Sequence, residues 1–246
     1  MFAKTILCVI GLKNSDADLD RAAALCREAG AHLSVLIIGI SALPAIGDYP
    51  IAGIAIDKRD AEALAIHEQE RSARLACERA GLSFDISNIH VELAWADDEI
   101  AERARYADLV LIGRSVLADE TLKWQTMNGT LFAAERPVMV MSERKSPTLA
   151  PGIILLAWDS GAEAGRAAYD MRELFAAAEV HATMVDPAAH WRKSGEEPGA
   201  DIARYLARLG ARTVVDRISS SGRSVAAAIA QHAADIDADL VVMGAY

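Results

Sequence analysis

One phrase occurs twice in this chain and limits what it can become. Residues 105–115 read RYADLVLIGRS and residues 236–246 read IDADLVVMGAY. Each is a helix tail, an Ala-Asp pair, an apolar run and a glycine. The runs Leu109-Val110-Leu111-Ile112 and Leu240-Val241-Val242-Met243 show no polar alternation. Such a run, rich in β-branched residues, suits a strand covered on both faces, as in a parallel sheet. Gly113 and Gly244 stand where these strands end. In open α/β sheets that carboxyl edge is where ligands bind, and a glycine there permits positive φ and a close approach to the backbone.

The segments around the first copy alternate in type. Residues 4–11 read as a buried strand, 15–30 as a helix with Ser or Asp able to cap it and Gly30 to close it, and 31–41 as a second strand. Residues 42–56 carry two prolines and read as a long loop at the carboxyl edge. A long amphipathic helix follows over 58–81, then strand 84–94, helix 97–107, strand 108–113, helix 121–136 and strand 137–143. This βαβαβαβαβ order predicts a parallel, doubly wound sheet with helices on both faces. Residues 144–152 (RKSPTLAPG) are polar and proline-bearing and read as a linker.

The pattern then restarts: strand 153–158, helix 160–178, strand 179–186, loop 188–199, helix 200–210, strand 211–219, helix 221–236 and strand 239–244. Two copies of one α/β unit therefore lie in tandem, over 1–145 and 152–246. Aligning the first strands sets Ile10 opposite Asp159, and the first copy is longer through its loop and second helix. The sequence stops without the last helix and strand of the second copy, so the gene is expected to continue past Tyr246.

Composition narrows the function classes. The chain has 246 residues, a net charge of −10 and a pI of about 5.1, so no basic field exists to bind a nucleic-acid backbone. No apolar run approaches the ~20 residues of a membrane helix, and the N-terminus lacks a signal-peptide cleavage region. No membrane partner is expected. Cys8, Cys26 and Cys77 are isolated in sequence and read as reduced, packed thiols of a cytoplasmic protein. The histidines, His67, His90, His181, His190 and His232 among them, show no metal-ligand spacing, and no metal site is expected. No nucleophile elbow, Walker loop or paired edge carboxylates appear, so no enzyme is expected.

On ILLAWDSGAEAGRAA (154–168), ADLVVMGAY (238–246), ADLVLIGRS (107–115) and NGTLFAAERPVMVM (128–141), the chain resembles the universal stress protein family in its tandem form. The resemblance implies a flavodoxin-like or Rossmann-like sheet and a cytosolic stress-response protein. It also implies an ATP or related adenine-nucleotide site, with Mg2+ able to accompany ATP. ATP-binding members carry an Asp at the end of the first strand. They also carry a Gly-x-x-Gly after the fourth strand, followed further on by Gly-Ser or Gly-Thr. Glycines of this kind let backbone N–H groups face phosphate oxygens, and a helix N-terminus adds favourable partial charge.

Carried over residue by residue, the second repeat matches at Asp159, at Val185 as an adenine contact and at Gly244. In the first repeat Ile10 replaces the Asp, Gly113 matches, Val116 replaces the second glycine, and Gly129-Thr130 matches but at altered spacing. Nucleotide is therefore expected in repeat 2, with repeat 1 a degenerate site. The resemblance further implies that the repeats pair through their last strands as an intramolecular pseudo-dimer, and it allows a homo-oligomer. The alternative function is an interaction scaffold of the same fold that binds no nucleotide. Other readings of the residues stay open: Asp159 as a cap for the helix after it, and Gly113 and Gly244 as turn glycines.

Overall fold

The apolar runs form parallel strands, and the amphipathic stretches between them form helices, the first two of which end at glycine. The structure, a computed structural model, describes residues 2–41, 52–187, 197 and 199–245, with residues 52–60 described as backbone only. The chain divides into two compact units, Ala3–Pro147 and Thr148 onward, at the proline-bearing stretch.

In the first unit the elements are β1 (Thr5–Ile10), α1 (Asp16–Ala29), β2 (His32–Ser41), α2 (Ala52–Ala80), β3 (Phe84–Glu92), α3 (Ala96–Ala104), β4 (Leu109–Ile112), α4 (Arg114–Leu117), α5 (Glu120–Met127) and β5 (Val138–Val140). All strand pairs are parallel and the sheet order is β3-β2-β1-β4-β5. The doubly wound α/β fold read from the sequence is therefore present.

Alternation on strands covered from both sides explains the unbroken apolar runs. Leu7, Val9, Leu36, Ile38, Val110 and Ile112 pack on the α3 side with Ile100 and Leu122. Ile6, Cys8 and Ile10 point the other way and are as fully buried. Gly30 (φ 62°) and Gly81 (φ 67°) take the left-handed conformation that closes α1 and α2. Ser15 precedes α1 but does not cap it through its side chain; its Oγ donates to the Gly11 carbonyl instead (3.2 Å).

Some expected boundaries move. Of the expected loop 42–56, residues 42–51 lie outside the described residues and 52–56 are helical, so α2 starts earlier than the helix read over 58–81. The helix read over 121–136 is α5, capped by Asp119 accepting from Leu122 N (3.0 Å), which then widens into a π-turn over Asn128–Ala133.

The second unit comprises β6 (Ile153–Ala157), α6 (Ala162–Asp170), α7 (Arg172–Phe175), β7 (Glu179–Val185), α8 (Ala200–Arg208), β8 (Arg212–Ile218), α9 (Val225–Asp235) and β9 (Leu240–Val242). Its order, β8-β7-β6-β9, repeats β3-β2-β1-β4. The helix read over 160–178 breaks at Met171. Arg172 donates to the Tyr169 carbonyl there (2.7 Å) and lies 4.1 Å over the Tyr169 ring, satisfying a helix-end acceptor. The loop read over 188–199 falls almost wholly outside the described residues. No helix among the described residues is long and apolar enough to cross a membrane.

Burial also sets the thiol chemistry. Cys8, Cys26 and Cys77 are free and buried. Burial pushes Cys8 far above the usual thiol range, Cys26 up to about 12 and Cys77 to about 11. The reactive thiolate is thus suppressed in the folded chain. Ellman's reagent at pH 8 should therefore leave the native protein unlabelled over minutes and titrate all three thiols in denaturant. Rapid labelling of the native protein would contradict the packing described here.

Candidate functional site

The two units can be superposed hydrogen bond for hydrogen bond at one place. Asp108 Oδ2 accepts from Lys4 N (2.7 Å) and Thr5 N (3.0 Å). Asp239 Oδ2 accepts from Gly152 N (2.9 Å) and Ile153 N (3.1 Å). The strand registers agree, Ile6 pairing with Leu109 and Ile154 with Leu240. With Gly113 matched to Gly244, the residue at the place of Asp159 is Gly11 rather than Ile10. Ile10 is the last residue of β1 and fully buried. Ile10 opposite Asp159 is thus one residue short of the register that the paired strands fix. The first repeat still has no carboxylate at that position.

The carboxyl edge of the first sheet holds a cleft of about 720 Å³ lined by Gly11, Lys13, Gly39, Ile40, Arg114 and Ser115, among others. It lies where the strand order reverses between β1 and β4, the usual ligand crevice of such sheets. Its natural anion-binding groups are already engaged. Asp18, only 1% exposed, sits on the first turn of α1. Its Oδ1 accepts from Arg114 N (3.1 Å), and its Oδ2 from Ser115 N (2.8 Å) and Ser115 Oγ (2.6 Å). A Cβ on Gly113 would stand 2.1 Å from the Asp18 carboxyl carbon. Gly113 therefore seats the protein's own carboxylate, and the β4–α4 turn has no free N–H pair for a phosphate.

Gly129 and Thr130, carried over as weaker nucleotide residues of repeat 1, have packing roles. Both are buried and neither lines the cleft. A Cβ on Gly129 would lie 2.4 Å from the Asp97 carbonyl oxygen, and Thr130 Oγ1 donates to the Thr126 carbonyl (2.6 Å). The sequence match at these positions reports close helix packing.

In the second unit Asp159, Val185 and Gly244 reach one sheet edge. Trp158 N donates to the Thr183 carbonyl (2.9 Å), and Leu156 pairs with Val242, so each of the three stands just past or at the end of its strand. Asp159 Oδ1 accepts from Gly161 N (2.7 Å), a turn hydrogen bond at the entrance to α6. A Cβ on Gly244 would lie 2.6 Å from the Glu163 carbonyl carbon and 2.7 Å from Ala164 N. Gly244 is thus required by the close passage of the α6 backbone. Ala164 is the third residue of α6, as Asp18 is of α1; at this helix position one unit has a carboxylate and the other a methyl group. Asp186 belongs to the same edge. Hydrogen bonds from Ser220 hold its carboxyl below the usual range.

Two of the histidines, far apart in sequence, come together in the second unit. His181 from β7 and His232 from α9 converge on Asp216 of β8. Burial works against charge on Asp216, but the hydrogen bonds from His232 and then His181 outweigh it and hold the carboxyl below its usual range. These residues come from three elements, so no local motif could have revealed them.

The packing at Gly113 makes a double-mutant test. Gly113→Ala should lower stability by about 1–3 kcal/mol, the usual cost of overpacking, read from urea unfolding. The same change in an Asp18→Ala background should cost markedly less, because the clashing carboxylate is gone. Equal costs in both backgrounds would show that Asp18 does not occupy this turn.

Comparison with known proteins follows the same lines. No family model matches the chain, and no curated protein matches it. Among solved structures, a universal stress protein from Archaeoglobus fulgidus DSM 4304 is similar at 16% identity and a TM-score of 0.67, over 100% of this chain and 86% of that one. A functionally unknown protein from Pseudomonas aeruginosa PAO1 matches at 17% identity and a TM-score of 0.49, over 98% of this chain and 81% of that one. A universal stress protein in complex with cAMP matches at 18% identity and a TM-score of 0.37, over 57% of this chain and 97% of that one. The α/β fold of this chain, two parallel-sheet units in sequence, is the fold of the Archaeoglobus universal stress protein.

Proposed function

We propose that the protein is a tandem universal stress protein of the cytoplasm, a non-enzymatic stress-response protein that binds an adenine nucleotide in its second repeat. One observation carries the choice of repeat. In the first repeat Asp18 fills the turn after β4, where a phosphate would meet Arg114 N and Ser115 N. In the second repeat the matching helix position is Ala164, which has no carboxylate to fill that turn, although Glu163 lies next to Gly244. Repulsion between a bound carboxylate and an incoming phosphate disfavours the first site, and loss of the N–H donors disfavours it further.

In this reading Asp159 uses Oδ1 in its turn with Gly161 and offers Oδ2 to the adenosine hydroxyl or amino hydrogens. Val185 supplies an apolar wall, and Gly244 allows the backbone to come close. ATP would supply its own phosphates and any accompanying Mg2+. The protein's part is orientation and binding.

Calorimetry on the whole chain with ATP, ADP and AMP tests this. Asp159→Ala should weaken binding roughly ten- to a hundredfold, the equivalent of one hydrogen bond to a charged group. Arg114→Ala, in the cleft of the first repeat, should leave it unchanged. Loss of binding in Arg114→Ala with none in Asp159→Ala would put the site in the wrong repeat. No adenine-nucleotide binding at all would leave an interaction scaffold of the same fold.

A further inference from the structure

The geometry points to a divalent transition-metal site on the second unit, built by His181, Asp216 and His232. It is separate from the sheet edge proposed for nucleotide and does not depend on that proposal. His181 Nδ1 lies 2.7 Å from Asp216 Oδ2 and His232 Nε2 lies 2.8 Å from the same oxygen. The three ligand-class atoms all fall within 4.8 Å of one another. Their side chains are 12%, 18% and 18% exposed, enclosed enough to hold their positions and open enough for an ion to enter.

Proton counting gives the first argument. His181 meets a carboxylate at each ring nitrogen, Asp216 at Nδ1 and Glu179 at Nε2 (3.2 Å). A neutral imidazole donates from only one nitrogen. If Nε2–H donates to Glu179, the Nδ1 lone pair faces the Asp216 oxygen, and either a proton or a metal ion must stand between them. A metal ion there removes the conflict. Glu179 then holds the ligand's far N–H, the carboxylate–histidine–metal arrangement that fixes tautomer and ring orientation.

The second argument comes from the first unit, which builds the same sheet face without these residues. Ser34 pairs with Leu7, which pairs with Val110; His181 pairs with Leu155, which pairs with Val241. Register continued into the next strand sets Ser87, paired with Leu36, at the place of Asp216, paired with Thr183. The repeated phrase sets buried Ala101 at the place of His232. The fold is thus complete with two serines and an alanine at these points, so the three ligand-class side chains of the second unit are not a structural requirement of the sheet.

Two imidazole nitrogens and one carboxylate oxygen suit Zn2+, Co2+ or Ni2+ and do not suit Mg2+ or Ca2+, which take oxygen ligands. With metal–ligand bonds near 2.0–2.1 Å, tetrahedral donors sit about 3.3 Å apart. The present separations open to that by side-chain rotation of a few tenths of an ångström. The remaining coordination position is left to water or a further ligand.

The test is Zn2+ titration of untagged, EDTA-treated full chain by calorimetry. One Zn2+ per chain should bind, releasing protons, so the apparent enthalpy changes with buffer ionisation enthalpy. His232→Gln and Asp216→Asn should each weaken binding by tenfold or more. Glu179→Gln, which touches the ligand and not the metal, should weaken it about tenfold. His67→Gln, on the exposed face of α2, should have no effect. Should a variant fail to fold, the wild-type protein with Co2+ decides: a tetrahedral ligand-field spectrum supports the site, and the pale spectrum of the hydrated ion overturns it. Absent stoichiometric Zn2+ binding, or binding indifferent to His232→Gln and Asp216→Asn, also overturns it.

Discussion

In both units one aspartate side chain holds the fourth strand to the first. The N–H groups at the start of β1 and β6 precede the sheet ladder and would otherwise turn to solvent. Asp108 and Asp239 each accept two of them on one oxygen. The same aspartates donate their own backbone N–H to the carbonyls of Thr5 and Ile153 (2.8 and 2.9 Å). The strand that crosses over from the far edge of the sheet is thereby pinned at its start. Since a slip of one residue turns every side chain to the opposite face, this pin decides which of Leu109, Val110, Leu111 and Ile112 meets α3. It also decides which residue emerges at the carboxyl edge beside the first helix.

The glycine that emerges there is the same letter in both units and serves two different neighbours. Gly113 leaves room for a side chain, the buried carboxylate of Asp18, while Gly244 leaves room for the backbone of α6. An ionised group taken from water costs several kcal/mol unless it is well hydrogen-bonded, and Asp18 has three donors, two of them backbone N–H groups. The short α4 and the Asp18 carboxylate therefore depend on each other. A turn of this shape can hold an external anion or an internal one, and in the first unit the internal one is covalently tethered and always present. Its effective concentration exceeds that of a free ligand, which is why a cleft of adequate size does not by itself make a phosphate site.

The strands were legible because burial on both faces writes an unbroken apolar run, and the helix ends because Gly30 and Gly81 must take positive φ. The tandem fold was legible from one repeated phrase, although the meaning of its Ala-Asp pair was not: the acceptor lies in the phrase and its donors lie at Lys4 and Thr5, over a hundred residues away. Asp18 was hidden for the same reason. In sequence it is one more acid in the first turn of a helix, where the dipole alone explains it. The match of Ile10 to Asp159 is one residue short of the strand register, because an unbroken apolar run carries no mark of which of its residues pair with the neighbouring strand. Gly129 and Thr130 fitted a motif by letter, yet their environment is the inside of a helix packed on Asp97.

Polar chemistry has moved to different places in the two units. The first fully buries Val110 and Ile112 on this sheet face, keeps its polar groups there to the far strands, where His32 and Ser34 meet Asp85, and seats a buried carboxylate, Asp18, at the edge. The second leaves Val241 39% and Met243 57% exposed among the described residues, and on that same face it sets His181, Asp216 and His232. A sheet face can hold such a group only where each polar atom has a partner. Asp216 supplies one oxygen to two imidazoles, and Glu179, itself 3.6 Å from Arg212, takes the far nitrogen of His181. The chain of partners ends on a single oxygen shared by two nitrogens, which brings three ligand-class atoms to one point. The β7–β8 register sets His181 and Asp216 two residues apart on the same face of neighbouring strands, and α9 crosses above them with His232 facing down. The parallel sheet that denies the first unit a free anion site by seating Asp18 is thus the same scaffold that, in the second, aligns three ligand atoms for a cation.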